Sequence, residues 1–372
     1  MEMPAENIAW LDVGLREDSK PAILDHGRLR QVVSALPDPE NQFPSLCVFI
    51  GKKAKQTALQ ELYSLNNIKR HVSEANIRLR YDVFSSESRH PVLFADSDNL
   101  QDKMSFPSRR LQAGIGYATS WACSAKTMLL ITWTRFIFLL TDVICLFLED
   151  EPSIKEAVRF LISCSRFQAA SSFSVSIRPR VILIFADAAT QEADGISHSD
   201  LLDKALEQPK CANLLNTFSN ISSFSLKADH LSSPARHERM RSALAKELDE
   251  MRVIRQRRRF QPNVWHLTAL FESALRHLIV TTDRPFDIVS AVREDRPISP
   301  NIQFPQRLFM NNPYKYLYER ARIQIDYLIS LFTRGRDKGY NPSVYALHNL
   351  INKLEPNLFH HSLFSNGKGT VL

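Results

Sequence analysis

Six short apolar runs set among helical patterns constrain the fold of this chain more than any other feature. Such runs are typical of strands buried in a sheet, and several are nearly unbroken Val, Ile, Leu and Phe. They lie at 46–50, 77–84, 91–95, 143–148, 180–186 and 221–226. Short strands that alternate with helices predict a mostly parallel α/β sheet, in which the hairpin 77–95 is the one antiparallel element. We expect the run 181–185 at the centre of this sheet.

The residues after the first run have the outline of a phosphate loop without its chemistry. An intact loop reads Gly, four residues, then Gly-Lys-Ser/Thr, because backbone N–H groups, a lysine and a hydroxyl must surround phosphates and magnesium. If Gly51 is the first glycine, the second glycine, the lysine and the hydroxyl are replaced by Gln56, Thr57 and Ala58. We therefore expect the fold of a phosphate-loop domain without its nucleotide-binding activity.

Some residues near this loop keep a vestige of a nucleotide site. Lysines just after Gly51 could attract an anion to a helix N-terminus, although a solvated basic helix start is the simpler interpretation. Asp96 ends a strand where a GTPase has Asp-x-x-Gly, but the fourth position is Asn99, and the base-reading Asn-Lys-x-Asp is replaced by the residues 186–189. The two aspartates at 96 and 187 are read more simply as strand ends. The vestigial cofactor-binding residues are Gly51, Lys52, Lys53, Lys55, Thr57 and Asp96, with no catalytic residue and no metal ligands.

The run 128–148 has 21 residues and is long enough to span a bilayer. Arg135 and Asp142 lie near its middle, where charges are costly in a membrane. We therefore expect a core-facing helix that ends at Leu140, a break at Thr141 and Asp142, and a buried strand from 143 to 148. A membrane span is the less favoured alternative.

Length and pattern together predict two domains. A chain of 372 residues exceeds what one hydrophobic core usually serves. From residue 232 onward the pattern is helical, with Met240, Leu244 and Leu248 on one face. We place an N-terminal extension at 1–42, an α/β domain at 43–230, a helical domain at 231–358 and a tail at 359–372.

The net charge of +7 is concentrated in the C-terminal part of the chain. Its densest cluster is Arg255, Arg257, Arg258 and Arg259. Acidic residues precede this cluster on the same predicted helix, so a solvated helix C-terminus is favoured over a surface for nucleic acid or anionic lipid.

Cysteines and the N-terminus predict a cytoplasmic protein. The five cysteines show no CxxC or Cys/His spacing, which favours buried thiols in a reducing compartment over zinc or disulfides. Acidic residues precede any long apolar stretch, so no secretory signal is expected.

Four stretches resemble the N-terminal region of large fungal patatin-like phospholipases, the FabD/lysophospholipase-like proteins. They are 43–51, 91–96, 141–147 and 231–240. The resemblance implies a degenerate P-loop GTPase-like domain followed by a helical segment, which in that family lie upstream of a lipase domain. The Gly-x-Ser-x-Gly elbow of the lipase domain is absent from this chain.

The resemblance implies a fungal, non-catalytic regulatory or protein-interaction module, with a patatin-like lipase domain as a partner. Neither a cofactor nor a nucleic acid partner is expected. One alternative is weak binding and hydrolysis of GTP or ATP with magnesium through Lys55, Thr57 and Asp96. Another is an accessory protein of a fungal biosynthetic or lipid pathway.

Overall fold

The computed structural model describes a large part of the chain between residues 8 and 291. The described residues are 8–15, 21–66, 68, 77–98, 115–118, 125–166, 173–186, 214–228, 230–258, 260–281, 284–288 and 291. Met1–Phe286 forms one compact unit and Asp287–Leu372 a second. Every helix and strand named below belongs to the first unit.

A nine-stranded sheet organises this unit. Its strands are β1 Ala9–Leu15, β2 Pro21–Asp25, β3 Ser45–Ile50, β4 Ile77–Tyr81, β5 Val92–Ser97, β6 Ile115–Ala118, β7 Val143–Leu148, β8 Arg180–Phe185 and β9 Asn220–Ser225. Across the sheet they follow the order β6-β2-β1-β4-β5-β3-β7-β8-β9.

All six predicted strands are present, as β3, β4, β5, β7, β8 and β9. β5, β3, β7, β8 and β9 pair in parallel, and β4 pairs antiparallel with β5 as the predicted hairpin. The α/β class and the parallel part of the sheet are thereby confirmed. β8 is buried as expected, but it lies beside the edge strand β9 and not at the centre of the sheet.

The expectation of a single antiparallel element is wrong. β1 pairs antiparallel with β2 and with β4, and β2 pairs antiparallel with β6. β1 and β2 come from the stretch interpreted as an extension. Their signal was hidden because Asp12 and Gly14 interrupt the apolar pattern of β1, and β2 has only five residues.

Helices cover both faces of the sheet. They are α1 Arg28–Ala35, α2 Lys53–Leu62, α3 Ala125–Thr132, α4 Phe138–Leu140, α5 Glu151–Arg166, α6 Leu214–Thr217, α7 Ser233–Arg257 and α8 Val264–Val280, with a π-helical turn at Trp133–Ile137 between α3 and α4. α2 and α7 pack together against β7. α1, α3, α4, α5 and α8 form the other layer, where the rings of Trp10 and Phe136 both contact Phe271.

The predicted helical domain is described only at its start. α7 and α8 contact the sheet or its helices within the first unit. The sequence pattern also predicts helices at 312–333, 343–354 and 199–218, but the first two and most of the third lie outside the described residues. The boundary after residue 230 stays a prediction.

The long apolar run divides as predicted into helical segments that end at Leu140 and the strand β7. Asp142 lies at the break, where its Oδ2 accepts a hydrogen bond of 2.8 Å from the backbone N–H of Leu46. Within the described residues, no helix has both the length and the apolar character needed to cross a membrane.

Arg255 corrects the interpretation of the arginine cluster. It is 5% exposed, its Nη1 lies 2.9 Å from Asp142 Oδ1, and its Nη2 donates to the carbonyl oxygen of Thr141 at 3.0 Å. The cause is helical spacing, because Arg255 follows the buried Met251 by four residues and so extends the buried face of α7. Arg257 and Arg258 are exposed as predicted, and residue 259 lies outside the described range.

Candidate functional site

The loop between β3 and α2 is too short to cradle phosphates. Only Gly51 and Lys52 separate the strand from the helix. A phosphate loop places about six residues there, so that several backbone N–H groups converge on one anion. Here the residues that would form such a loop already belong to the first turns of α2.

Gly51 is required by packing. Its φ is 151°, a region that side-chain-bearing residues rarely adopt. A Cβ at this position would lie 2.6 Å from Phe147 Cβ on β7. The glycine thus lets the β3–α2 connection pass close to β7. This close approach explains why position 51 is a glycine, and the explanation needs no bound phosphate.

The three lysines and the threonine of the predicted site separate into exposed and buried positions. Lys52, Lys53 and Thr57 are exposed, and Thr57 Oγ1 donates to the carbonyl oxygen of Lys53 at 3.2 Å. Lys55 is fully buried. The fold therefore brings Lys55 to Asp96 and leaves the other three side chains on the surface of α2.

A carboxylate occupies the N-terminus of α2. Glu149 follows β7 directly, and its Oε1 accepts a hydrogen bond of 2.8 Å from the backbone N–H of Ala54. The first N–H groups of a helix lack intrahelical partners and favour an anion, which is the physical basis of phosphate binding at such ends. Glu149 supplies that negative charge from within the protein.

Asp96, at the end of β5, is surrounded by cations. It is 1% exposed; Arg78 Nε donates to its Oδ2 at 2.8 Å, Lys55 Nζ lies 3.3 Å from the same oxygen, and Arg80 contacts Oδ1. The antiparallel register places Arg78 opposite Asp96, and Arg80 lies two residues along on the same face of β4. Three cationic side chains thus converge on one buried carboxylate.

Asp98 completes this group, which we call the cation cluster: Lys55, Arg78, Arg80, Asp96 and Asp98. Arg78 donates to both oxygens of Asp98, from Nη1 at 2.9 Å and from Nη2 at 2.7 Å, in a bidentate pair. Lys55 contacts Asp98 as well. The side chain of Asp98 is 53% exposed, so the cluster reaches the surface there.

The positive charges of the cation cluster lower the pKa of its two carboxyl groups. Burial alone would raise the pKa of Asp96, but Lys55, Arg78 and Arg80 outweigh it and hold that pKa below the usual value. Burial likewise opposes the ionisation of Asp98, but the hydrogen bond from Arg78 and the charge of Lys55 lower its pKa to about 2. Both carboxylates are therefore ionised at neutral pH.

The cluster lacks the ligand set of a metal centre. Hard cations such as magnesium bind oxygen ligands, and here the oxygens of Asp96 face nitrogen-borne positive charges. Among the residues that the structure describes, no group of three or more His, Cys, Asp or Glu side chains is arranged to hold a metal ion.

Four of the contributing residues were not identified from the sequence. Arg78 and Arg80 alternate on the strand predicted at 77–84, Asp98 follows β5, and Glu149 follows the long apolar run 128–148. Their signal lay in topology, since β4 and β7 flank β5 and β3 and the carboxyl ends of parallel strands form the usual ligand-binding edge. Asn99 and residues 187–189, which were compared in the sequence with two GTPase motifs, lie outside the described residues.

Acid is expected to weaken the fold through the cation cluster. The folded pKa values of Asp96 and Asp98 lie below the unfolded value of 3.8, so both carboxylates stabilise the fold above that pH and lose this contribution in acid. For Asp98 the loss extends down to about pH 2. Burial raises the pKa of Asp25 and Asp142, whose contribution runs the other way.

An Asp98→Asn variant isolates this effect, because it leaves Asp25 and Asp142 unchanged. Urea denaturation measured stepwise over this acidic range should show a smaller loss of unfolding free energy in the variant than in the parent protein. Parallel profiles for the two proteins would show that Asp98 does not titrate with folding.

Comparisons with known proteins assign no family to this geometry. The chain matches no known protein-family model, and no curated protein sequence matches it. Among solved structures, a siderophore hydrolase, EstB from Aspergillus nidulans, aligns over 65% of this chain and 97% of that chain, with 9% sequence identity and a TM-score of 0.25. A similarity at that TM-score carries no argument about fold or function.

Proposed function

We propose that residues 43–230 are a degenerate GTPase-like domain whose nucleotide position is filled by the protein's own side chains. In this proposal the chain acts as a non-catalytic regulatory or protein-interaction module. The carrying observation is that Glu149 occupies the helix N-terminus where phosphate would bind, while Asp96, where magnesium would be held, faces three cations.

The strand order supports the GTPase-like part of the proposal. Numbered within the predicted domain, the six strands follow the order second, third, first, fourth, fifth, sixth across the sheet. The second strand alone runs antiparallel to its neighbour. GTPase domains share this order, although the same scaffold can carry unrelated functions.

Electrostatics support the absence of nucleotide binding. A triphosphate approaching α2 would meet the carboxylate of Glu149, and its magnesium ion would meet Lys55, Arg78 and Arg80. Displacing these groups would leave buried charges without partners, which costs several kcal/mol in a protein interior. The binding free energy of a nucleotide would have to offset that cost without the contacts that a phosphate loop normally provides.

The regulatory or interaction role rests on the sequence resemblance. Four stretches of the chain resemble the region upstream of the lipase domain in fungal patatin-like phospholipases, and a patatin-like lipase domain is therefore the proposed partner. The internal ion pairs of the cation cluster hold this region in one conformation without a ligand. A partner protein would bind the surface of that fixed conformation.

Calorimetry with Mg·GTP and Mg·ATP tests the proposal. We expect no saturable heat with either nucleotide, because the short β3–α2 loop offers no phosphate cradle. A magnesium-dependent dissociation constant in the micromolar range or below would overturn the proposal. It would favour the alternative of weak nucleotide binding and hydrolysis through Lys55, Thr57 and Asp96.

A further inference from the structure

Among the strands that the structure describes, β9 lies at one edge of the sheet. β9 is the last strand in the sheet order and pairs on one side with β8. No strand in the described part of the chain pairs with its other side. Alternate residues along a strand direct their backbone N–H and C=O groups outward, so this edge presents a row of donors and acceptors to a second chain.

The sequence of β9 lacks the features that protect strand edges. Its six residues read Asn-Ile-Ser-Ser-Phe-Ser, with no charged residue and no proline. The register with β8 advances by one residue at every step, so no bulge turns the edge away. Natural edge strands usually carry a charge, a proline or a bulge for this purpose, and β6 at the other edge has only four residues.

We propose that β9 pairs with β9 of a second copy of this chain, antiparallel across a two-fold axis. The strand is compatible with itself, because every antiparallel register places uncharged residues opposite uncharged residues. Lys227 follows the strand, so the two copies of this lysine lie at opposite ends of the pair. Two-fold symmetry is also the commonest arrangement of soluble homo-oligomers.

The partial burial of two apolar side chains on β9 is consistent with pairing to a second copy of the chain. Phe224 is only partly buried and packs against the core formed by α2, α7 and the sheet. Ile221, on the opposite face of β9, is also only partly buried. A second sheet that continues past β9 would cover both side chains, which adds apolar burial to the hydrogen bonds of the strand pair.

Charge substitutions at Ser223 test the pairing. Ser223 lies in the middle of β9, and its side chain is exposed. Analytical ultracentrifugation of the full chain should show a concentration-dependent dimer. Ser223→Lys and Ser223→Glu should each raise the dimer dissociation constant at least about tenfold, because like charges then meet across the axis. An equimolar mixture of the two variants should recover a dimer, since opposite charges meet instead.

The matched control is Ser242→Lys, which adds the same charge at an exposed position on α7. It should leave the dimer unchanged. A parent protein that stays monomeric at every concentration overturns the proposal, and so does a dimer that Ser223→Lys leaves intact or that the mixture fails to restore. Because no nucleotide is involved, this outcome is independent of the proposed function.

Discussion

The Ile182→Asp variant is expected to lose its cooperative unfolding transition. Ile182 is 5% exposed and belongs to the core cluster with Cys145 and Phe147. An aspartate there would be buried without a partner, at a cost of several kcal/mol against a typical total stability of about 5–15 kcal/mol. Thermal denaturation followed by near-ultraviolet circular dichroism measures the outcome.

Two control variants set the scale for this loss of stability. Ile182→Val keeps the apolar character and should cost only about 0.5–1.5 kcal/mol. Arg257→Asp places the same new carboxylate at the exposed C-terminus of α7 and should cost at most about 1 kcal/mol, because a negative charge is only mildly unfavourable in the last turn of a helix. Arg255 is unsuitable as a surface control because it is buried against Asp142. If Ile182→Asp unfolds cooperatively near the parent temperature, β8 is not part of the core.

The Asp96→Ala variant is expected to lose about 3–5 kcal/mol of unfolding free energy. Its carboxylate is the shared partner of Lys55, Arg78 and Arg80, of which Lys55 is fully buried. Without Asp96, these positive charges repel one another in a site largely shielded from water. Urea denaturation at neutral pH gives the free energy directly.

Asp98→Ala is the matched control for Asp96→Ala. Asp98 pairs with Lys55 and Arg78 too, but its side chain is 53% exposed and water can replace it. We expect a clearly smaller loss for this variant. If Asp98→Ala costs as much as Asp96→Ala, the stability of the cluster does not depend on the buried carboxylate.

The parallel part of the fold was predictable because its signal is local. β7 and β8 are apolar runs bounded by charged or polar residues, and their predicted bounds agree closely with the structure. The N-terminal strands β1 and β2 were not predictable in this way. Their strand character depends on pairing with each other and with β4 and β6, which are distant in sequence.

The candidate site was predictable only in part. Gly51 and Asp96 stood out because the nucleotide-binding motifs assign roles to those positions, and Lys55 stood out because it follows Gly51 at a predicted helix start. Glu149, Arg78 and Arg80 complete the site from other strands, and nothing in their local sequence distinguishes them from surface charges. Arg255 was misread for the same reason, because its partner Asp142 is more than one hundred residues away in the sequence.

The backbone amide of Ala54 reports most directly on whether the nucleotide position is filled from within. Its N–H donates to Glu149 Oε1 at 2.8 Å. In a ¹⁵N-labelled sample, Glu149→Ala should shift the Ala54 resonance, and Glu151→Ala, which removes an exposed acid two residues away, should not. These two variants establish that the signal reports on the contact. Addition of millimolar Mg·GTP to the parent protein should then leave the resonance in place. A saturable shift would contradict the central claim that Glu149 takes the position of a nucleotide phosphate at the N-terminus of α2.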